Sequence, residues 1–218
     1  MLFFRQSLIV GFISMYKCTF SYLIAIIFVA ALVFETGAQT KVQAKLGILL
    51  SSENNKITRL KSKDRLKPGD KFRVFVQPLS ASHIYVVFTD EKEATLLSSE
   101  YKNKEVSKDK LLILPSETEY FEFDNLSANC RIAIICDTEK NPKIEKLFQS
   151  KETIDKNSWL AYEDEVAKAA KKDLNDKSDK PFQIAGNVRS ANEDFLTKLQ
   201  LYTGTDKLYK SYEIEIKK

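Results

Sequence analysis

Between Lys45 and Asp137 the chain alternates apolar and polar residues with period two, and turn-forming residues interrupt it every eight to twelve positions. Such a pattern fits strands that bury one face, and it leaves no room for the helical crossovers that a parallel α/β fold requires. Eight segments carry it: LGILL (46–50), ITRLK (57–61), KFRVFVQ (71–77), HIYVVF (83–88), ATLLS (94–98), LLIL (111–114), YFEF (120–123) and CRIAIIC (130–136). Short strands at this spacing predict a sandwich or barrel. In KFRVFVQ, Phe72, Val74 and Val76 share one side, while Arg73, Phe75 and Gln77 share the other. Pro68-Gly69 suits the central positions of a type II turn that opens this strand, and Pro78 closes it because it has no N–H to give.

After Asp137 the pattern changes. NPKIEKLFQS (141–150) reads as a short helix. SWLAYEDEVAKAAKKDL (158–174) reads as a longer one, capped by Asn157 or Ser158. Trp159, Tyr162, Val166, Ala169 and Ala170 form its apolar face, with Glu163, Glu165, Lys168 and Lys171 placed elsewhere. FQIAGNVR (182–189) returns to strand character, NEDFLTKLQLY (192–202) is a weaker helix, and YEIEIKK (212–218) is a closing strand. The expected fold is therefore mainly β: an antiparallel β-sandwich over 45–140, with an immunoglobulin-like arrangement one option. An α+β extension over 141–218 packs on it and completes the same core.

The N-terminus carries a targeting signal. Residues 22–34, YLIAIIFVAALVF, hold no charge; Lys17 precedes them and ETGAQ follows, the layout of an export signal with a small-residue exit. Ala38 is the expected cleavage residue, Ala44 the second choice, and Met15 an alternative start. The competing reading keeps residues 19–34 as an uncleaved membrane anchor. Cys18 lies before the apolar core, which excludes the usual lipoprotein arrangement. The rest of the chain is accordingly expected in the periplasm or outside the cell. Its formal net charge is +4 with both signs interspersed, so no basic stripe offers itself to nucleic acid.

Little in the sequence supports catalysis. His83 is the one histidine, so a histidine triad or multi-histidine metal site has nowhere else to form. A Cys–His pair would need Cys130 or Cys136 to leave an apolar run. Those two cysteines, six residues apart on one extended segment, stand about 20 Å from each other, beyond the roughly 7 Å that a disulfide spans. Most carboxylates fall on turns or on the charged side of the 158–174 helix. DLNDKSD (173–179) departs from a calcium loop at Lys177, Ser178 and Ile184, and YTGTDK (202–207) has no phosphate-loop spacing. No catalytic, metal or cofactor residue is assigned. The aromatic residues remain. Phe75 with Tyr85 or Tyr120 would make an exposed apolar patch that recruits a partner, unless the helix around Trp159 covers it. Trp159 and Tyr162 would line a ligand pocket between sandwich and helix.

Gly69-Asp70, HIYVVFTD (83–90), Leu96-Leu97, Pro115 and FEF (121–123) ahead of RIAII (131–135) resemble the bacterial domain of unknown function 4384 family over roughly residues 60–148. The chain departs from that family at Lys92, Ser98-Ser99 and Ser127 or Ala128, where glycine, Phe-Pro and glycine are usual. The resemblance implies an accessory or recognition part without assigned catalytic residues. Together these readings predict an exported, non-enzymatic module that binds a protein or another component of the cell envelope. The alternative is a small-ligand carrier or exported hydrolase with its pocket beside helix 158–174.

Overall fold

The computed structural model describes residues 40–51, 57–124, 128–170 and 196–217. The cleavage residue Ala38, the 19–34 anchor, the 173–184 loop and the 182–189 strand lie outside them. The protein is mainly β, two sheets packed face to face. The strands are β1 (Lys41–Ser51), β2 (Ile57–Arg59), β3 (Asp64–Leu66), β4 (Lys71–Pro78), β5 (Ser82–Thr89), β6 (Glu93–Leu96), β7 (Glu105–Val106), β8 (Leu112–Leu114), β9 (Phe121–Glu122), β10 (Asn129–Asp137), β11 (Thr153–Asp155), β12 (Gln200–Thr205) and β13 (Lys207–Ile216). Helices α1 (Pro142–Leu147) and α2 (Lys156–Ala169) follow β10 and β11. One sheet runs β12-β1-β4-β8, with β2 beside β1 and β9 beside β4; the other runs β11-β6-β5-β10-β13-β3, with β7 beside β5. Pairing is antiparallel except between β13 and β3.

Alternation builds the core between the sheets. Val42, Ala44, Leu46 and Ile48 of β1 and Phe72, Val74 and Val76 of β4 meet Ile84 and Val86 of β5, Ile132 and Ile134 of β10 and Ile214 of β13. Cys130 and Cys136 point into the same layer as free thiols. The LKPGD stretch forms the turn its residues dictate. Gly69 takes φ +90° and the Asp70 amide donates to the Lys67 carbonyl at 3.1 Å, closing a type II turn that only glycine enters without strain. The turn is also tied to the strand beside it, because the Gly69 amide donates to the Phe123 carbonyl at 2.8 Å.

The seven-stranded sheet is apolar on both faces. Tyr85, Val87, Ala133 and Ile135 form its outer side and pack against Ile144, Phe148, Trp159 and Val166. Helix α2 starts earlier than its sequence suggests: Asp155, rather than Asn157 or Ser158, is the cap, and its carboxylate accepts from the Ser158 amide at 3.0 Å. Its buried stripe is Trp159, Glu163 and Val166. Glu163 is thus inside, where its charge had suggested the solvated side, and Ala169 is exposed. The helix expected over 192–202 is absent from the described part, residues 196–202. Leu196–Lys198 make a 3-10 turn and Gln200–Thr205 make β12, because the segment, with Tyr202 and Thr203 favouring a strand, finds a partner in β1. Among the described residues no helix is long and apolar enough to cross a membrane.

Candidate functional site

Arg73, Phe75 and Gln77 face outward from β4, opposite the inter-sheet core. Phe75 is nevertheless only 5% exposed. Leu49, Leu111, Ile113 and Leu199 surround it on the outer face of the six-stranded sheet. Leu199 reaches that face over Gly47, whose missing Cβ would stand 2.7 Å from the leucine Cδ2. Beside this cluster lies a dimple of about 40 Å³, with Phe75 and Leu49 in its lining and Ile57, Arg73 and Tyr120 around it. Tyr120 arrives there by alternation. Phe121 and Phe123 turn inward against Phe72, with ring centroids at 5.3 and 4.4 Å, which sends the residue before them outward.

Arg73 fixes that aromatic ring. Its Nε donates to the Glu119 carbonyl at 2.7 Å, and its guanidinium carbon stands 3.7 Å from the centre of the Tyr120 ring, a cation–π stack. The Ser116 hydroxyl accepts from the Glu119 amide at 3.1 Å and stiffens the turn that leads into Tyr120. Among the described residues, Ile57 and Tyr120 are the exposed large hydrophobic side chains, each 40% exposed, and both border this dimple. Phe75 and Tyr120, singled out from the sequence, therefore come together; Arg73, Ile57 and Leu199 are the partners that sequence reasoning missed.

Tyr85 and Trp159 do not join a surface site. Both are fully buried under the helices, because their strand and helix faces are each other's cover, and Trp159 packs between Phe148 and Tyr162 at 5.9 and 6.0 Å. Tyr85 instead anchors a polar network. Its hydroxyl accepts from the Asn141 amide at 2.9 Å, and the Asn141 side chain donates to Asp137 at 2.8 Å while accepting from Tyr162 at 2.8 Å. Burial pushes the Tyr85 phenol up to about 12. Tyr162, half-buried, borders a shallow groove with Asp137, Lys143 and Lys207, which Trp159 does not line.

Comparison with known protein families, with curated proteins and with solved structures returns no match for this chain.

A second groove, of about 570 Å³, opens between the first turns of α2 and strands β10, β13 and β3. Arg131 lines it and bridges the buried Glu163 at 3.6 Å and the exposed Glu213 at 3.2 Å. Tyr209 donates to Glu163 Oε1 at 2.6 Å. Among the described residues, Glu163 Oε2 and the buried Thr89 hydroxyl have no hydrogen-bond partner. The thiol of Cys130 at this groove is pushed up to about 12 by burial, with Asp90 adding to the effect, so it stays protonated and poorly nucleophilic. His83 pairs with Asp137 on the outer face of the sheet while Cys136 points to the inner one, so these two do not meet. Among the described residues no three His, Cys, Asp or Glu side chains are grouped to hold a metal ion.

Proposed function

We propose that this protein is a non-enzymatic recognition module. Its outer sheet face, at the dimple framed by Ile57, Arg73 and Tyr120, engages a protein or another macromolecule of the cell envelope. Its N-terminal segment exports it to the periplasm or beyond, and its likeness to the domain of unknown function 4384 family belongs to the same reading. The observation that carries the proposal is the meeting of Ile57 and Tyr120 at one spot under a stacked arginine. Tyr and Arg are enriched in binding hot spots, Tyr because it buries much area at little entropic cost and Arg because its planar fork is pre-organised for hydrogen bonding. The dimple holds a side-chain tip, far less than the several hundred Å³ of a usual small-molecule site, which favours a macromolecular anchor.

A photo-crosslinking amino acid at position 120, with position 151 as an exposed control, tests this in native envelopes. One adduct specific to position 120 is expected. Equal adducts at both positions, together with turnover of a small substrate by the purified protein, would sink the proposal.

A second reading, a carrier of a small polar ligand, draws on the Arg131 groove, where the buried Thr89 hydroxyl has no hydrogen-bond partner among the described residues and Arg131 is tied to Glu163 by an ion pair of 3.6 Å. Trp159 lies one turn from Glu163 on the same helix face. Ligand-dependent Trp159 fluorescence would support that reading, and its absence across a metabolite panel would count against it.

A further inference from the structure

We infer, resting on the recognition reading above, that the partner presents an apolar side chain within two residues of a carboxylate. Two features of the dimple specify this pair. Its volume of about 40 Å³ and its lining of Leu49, Ile57, Phe75 and Tyr120 accept one aliphatic or aromatic tip and nothing larger. Arg73 supplies the second requirement. A guanidinium has five N–H donors in a planar fork, and Arg73 commits its Nε–H to the Glu119 carbonyl. The four remaining N–H groups have no acceptor among the described residues, and stacking on Tyr120 holds their plane. A fork held in this way matches a carboxylate bidentately. The surroundings agree in sign: Lys71 shares the outward face of β4, and Lys198 donates from Nζ to the Ile57 carbonyl at 2.9 Å. The acid facing Lys71 is Glu122, at a loose 3.9 Å. Because Arg73 itself lines the dimple, the two recognised groups must be close in the partner, and an extended peptide advances only about 3.3 Å per residue.

The test is to pan the full chain against a phage-displayed library of random peptides, in parallel with Tyr120→Ala and Arg73→Lys variants whose folding is checked by urea midpoint. Clones captured by the unaltered chain should carry Asp or Glu within two positions of Leu, Ile or Phe. A synthetic peptide of the recovered sequence should bind about tenfold more weakly when its acid is changed to the amide. Arg73→Lys should weaken binding several-fold, since an ammonium keeps the charge and loses the fork, and Tyr120→Ala should abolish it. Peptides that need Tyr120 but carry no acid would overturn this inference and leave the dimple standing as a recognition site. If no captured peptide depends on Tyr120, the inference and the recognition reading at this face fall together.

Discussion

The two outer faces of the sandwich start from similar strands and end differently. On the seven-stranded sheet, HIYVVF and RIAIIC put apolar side chains on both sides, so the outer face had to be covered, and α1 and α2 cover it. On the six-stranded sheet the outward positions are Lys41, Gln43, Lys45, Lys71, Arg73 and Gln77, with Leu49 and Phe75 among them. That face tolerates water and needs only the Leu199 segment over its apolar spot. Covering a sheet with a helix traps polar groups, which must then find partners; leaving a sheet open keeps its polar groups available for something else. The covered face therefore carries stability, and the open face is the one to which the proposed recognition role is assigned.

The sharpest way to break this contrast is to remove the cover. Trp159→Ala deletes the largest side chain of the helical layer and is expected to cost about 3–5 kcal/mol, read as a fall in the urea midpoint. A loss below about 1 kcal/mol would mean the helices are ornament and the two faces are alike. Next is the trapped charge. Arg131→Ala leaves Glu163 buried with only Tyr209 as a polar partner. The expected loss is about 2 kcal/mol, below the range for fully buried pairs because the arginine side chain is 35% exposed. Glu163→Gln should cost less, since it removes the charge that needs compensation. An equal cost for both would place the energy in packing.

Much of the fold was legible in the sequence. Period-two alternation located the main strands, although HIYVVF and CRIAIIC, read with the other segments as burying one face, bury both. The closing strand and the short helix at 142–147 also followed from spacing. What escaped depended on tertiary partners. Glu163 read as solvated by its charge, although its position four residues after Trp159 and three before Val166 puts it on the buried stripe; Tyr209 and Arg131, far away in sequence, make that burial tolerable. β12 read as a weak helix because its partner strand begins 159 residues earlier in the chain. Tyr120 was visible as an aromatic on a strand. Its pairing with Arg73 and Ile57 was not, since three separate strands or turns bring them together.

The thiols offer a test of the inter-sheet core that both faces share. Burial pushes Cys130 and Cys136 up to about 12 from an ordinary thiol value near 9. Below that ordinary value both states hold the proton and the full stabilisation is present. As pH rises, the unfolded chain loses its thiol protons first, so stability declines between about pH 9 and 12. Urea midpoints measured at increasing pH should fall over this window, and fall less after Cys136→Ala. With Cys18 replaced by serine, the native protein should also resist thiol reagents at pH 8 and label fully when unfolded; rapid native labelling would show that the sheets part easily.

The smallest effect separates floor from rim within the dimple itself. Phe75 and Tyr120 border the same space, but one is covered by Leu199 and the other stands 40% exposed. Phe75→Ala should therefore behave as a core truncation of about 3 kcal/mol. Tyr120→Ala should cost no more than about 0.5–1 kcal/mol, the worth of an exposed cation–π stack. Selection for stability alone gives no reason to keep a large aromatic at a position where its loss is nearly neutral, so a near-zero cost is what a side chain held for binding should show. A cost of several kcal/mol would make Tyr120 part of the scaffold and return the open face to the same category as the covered one.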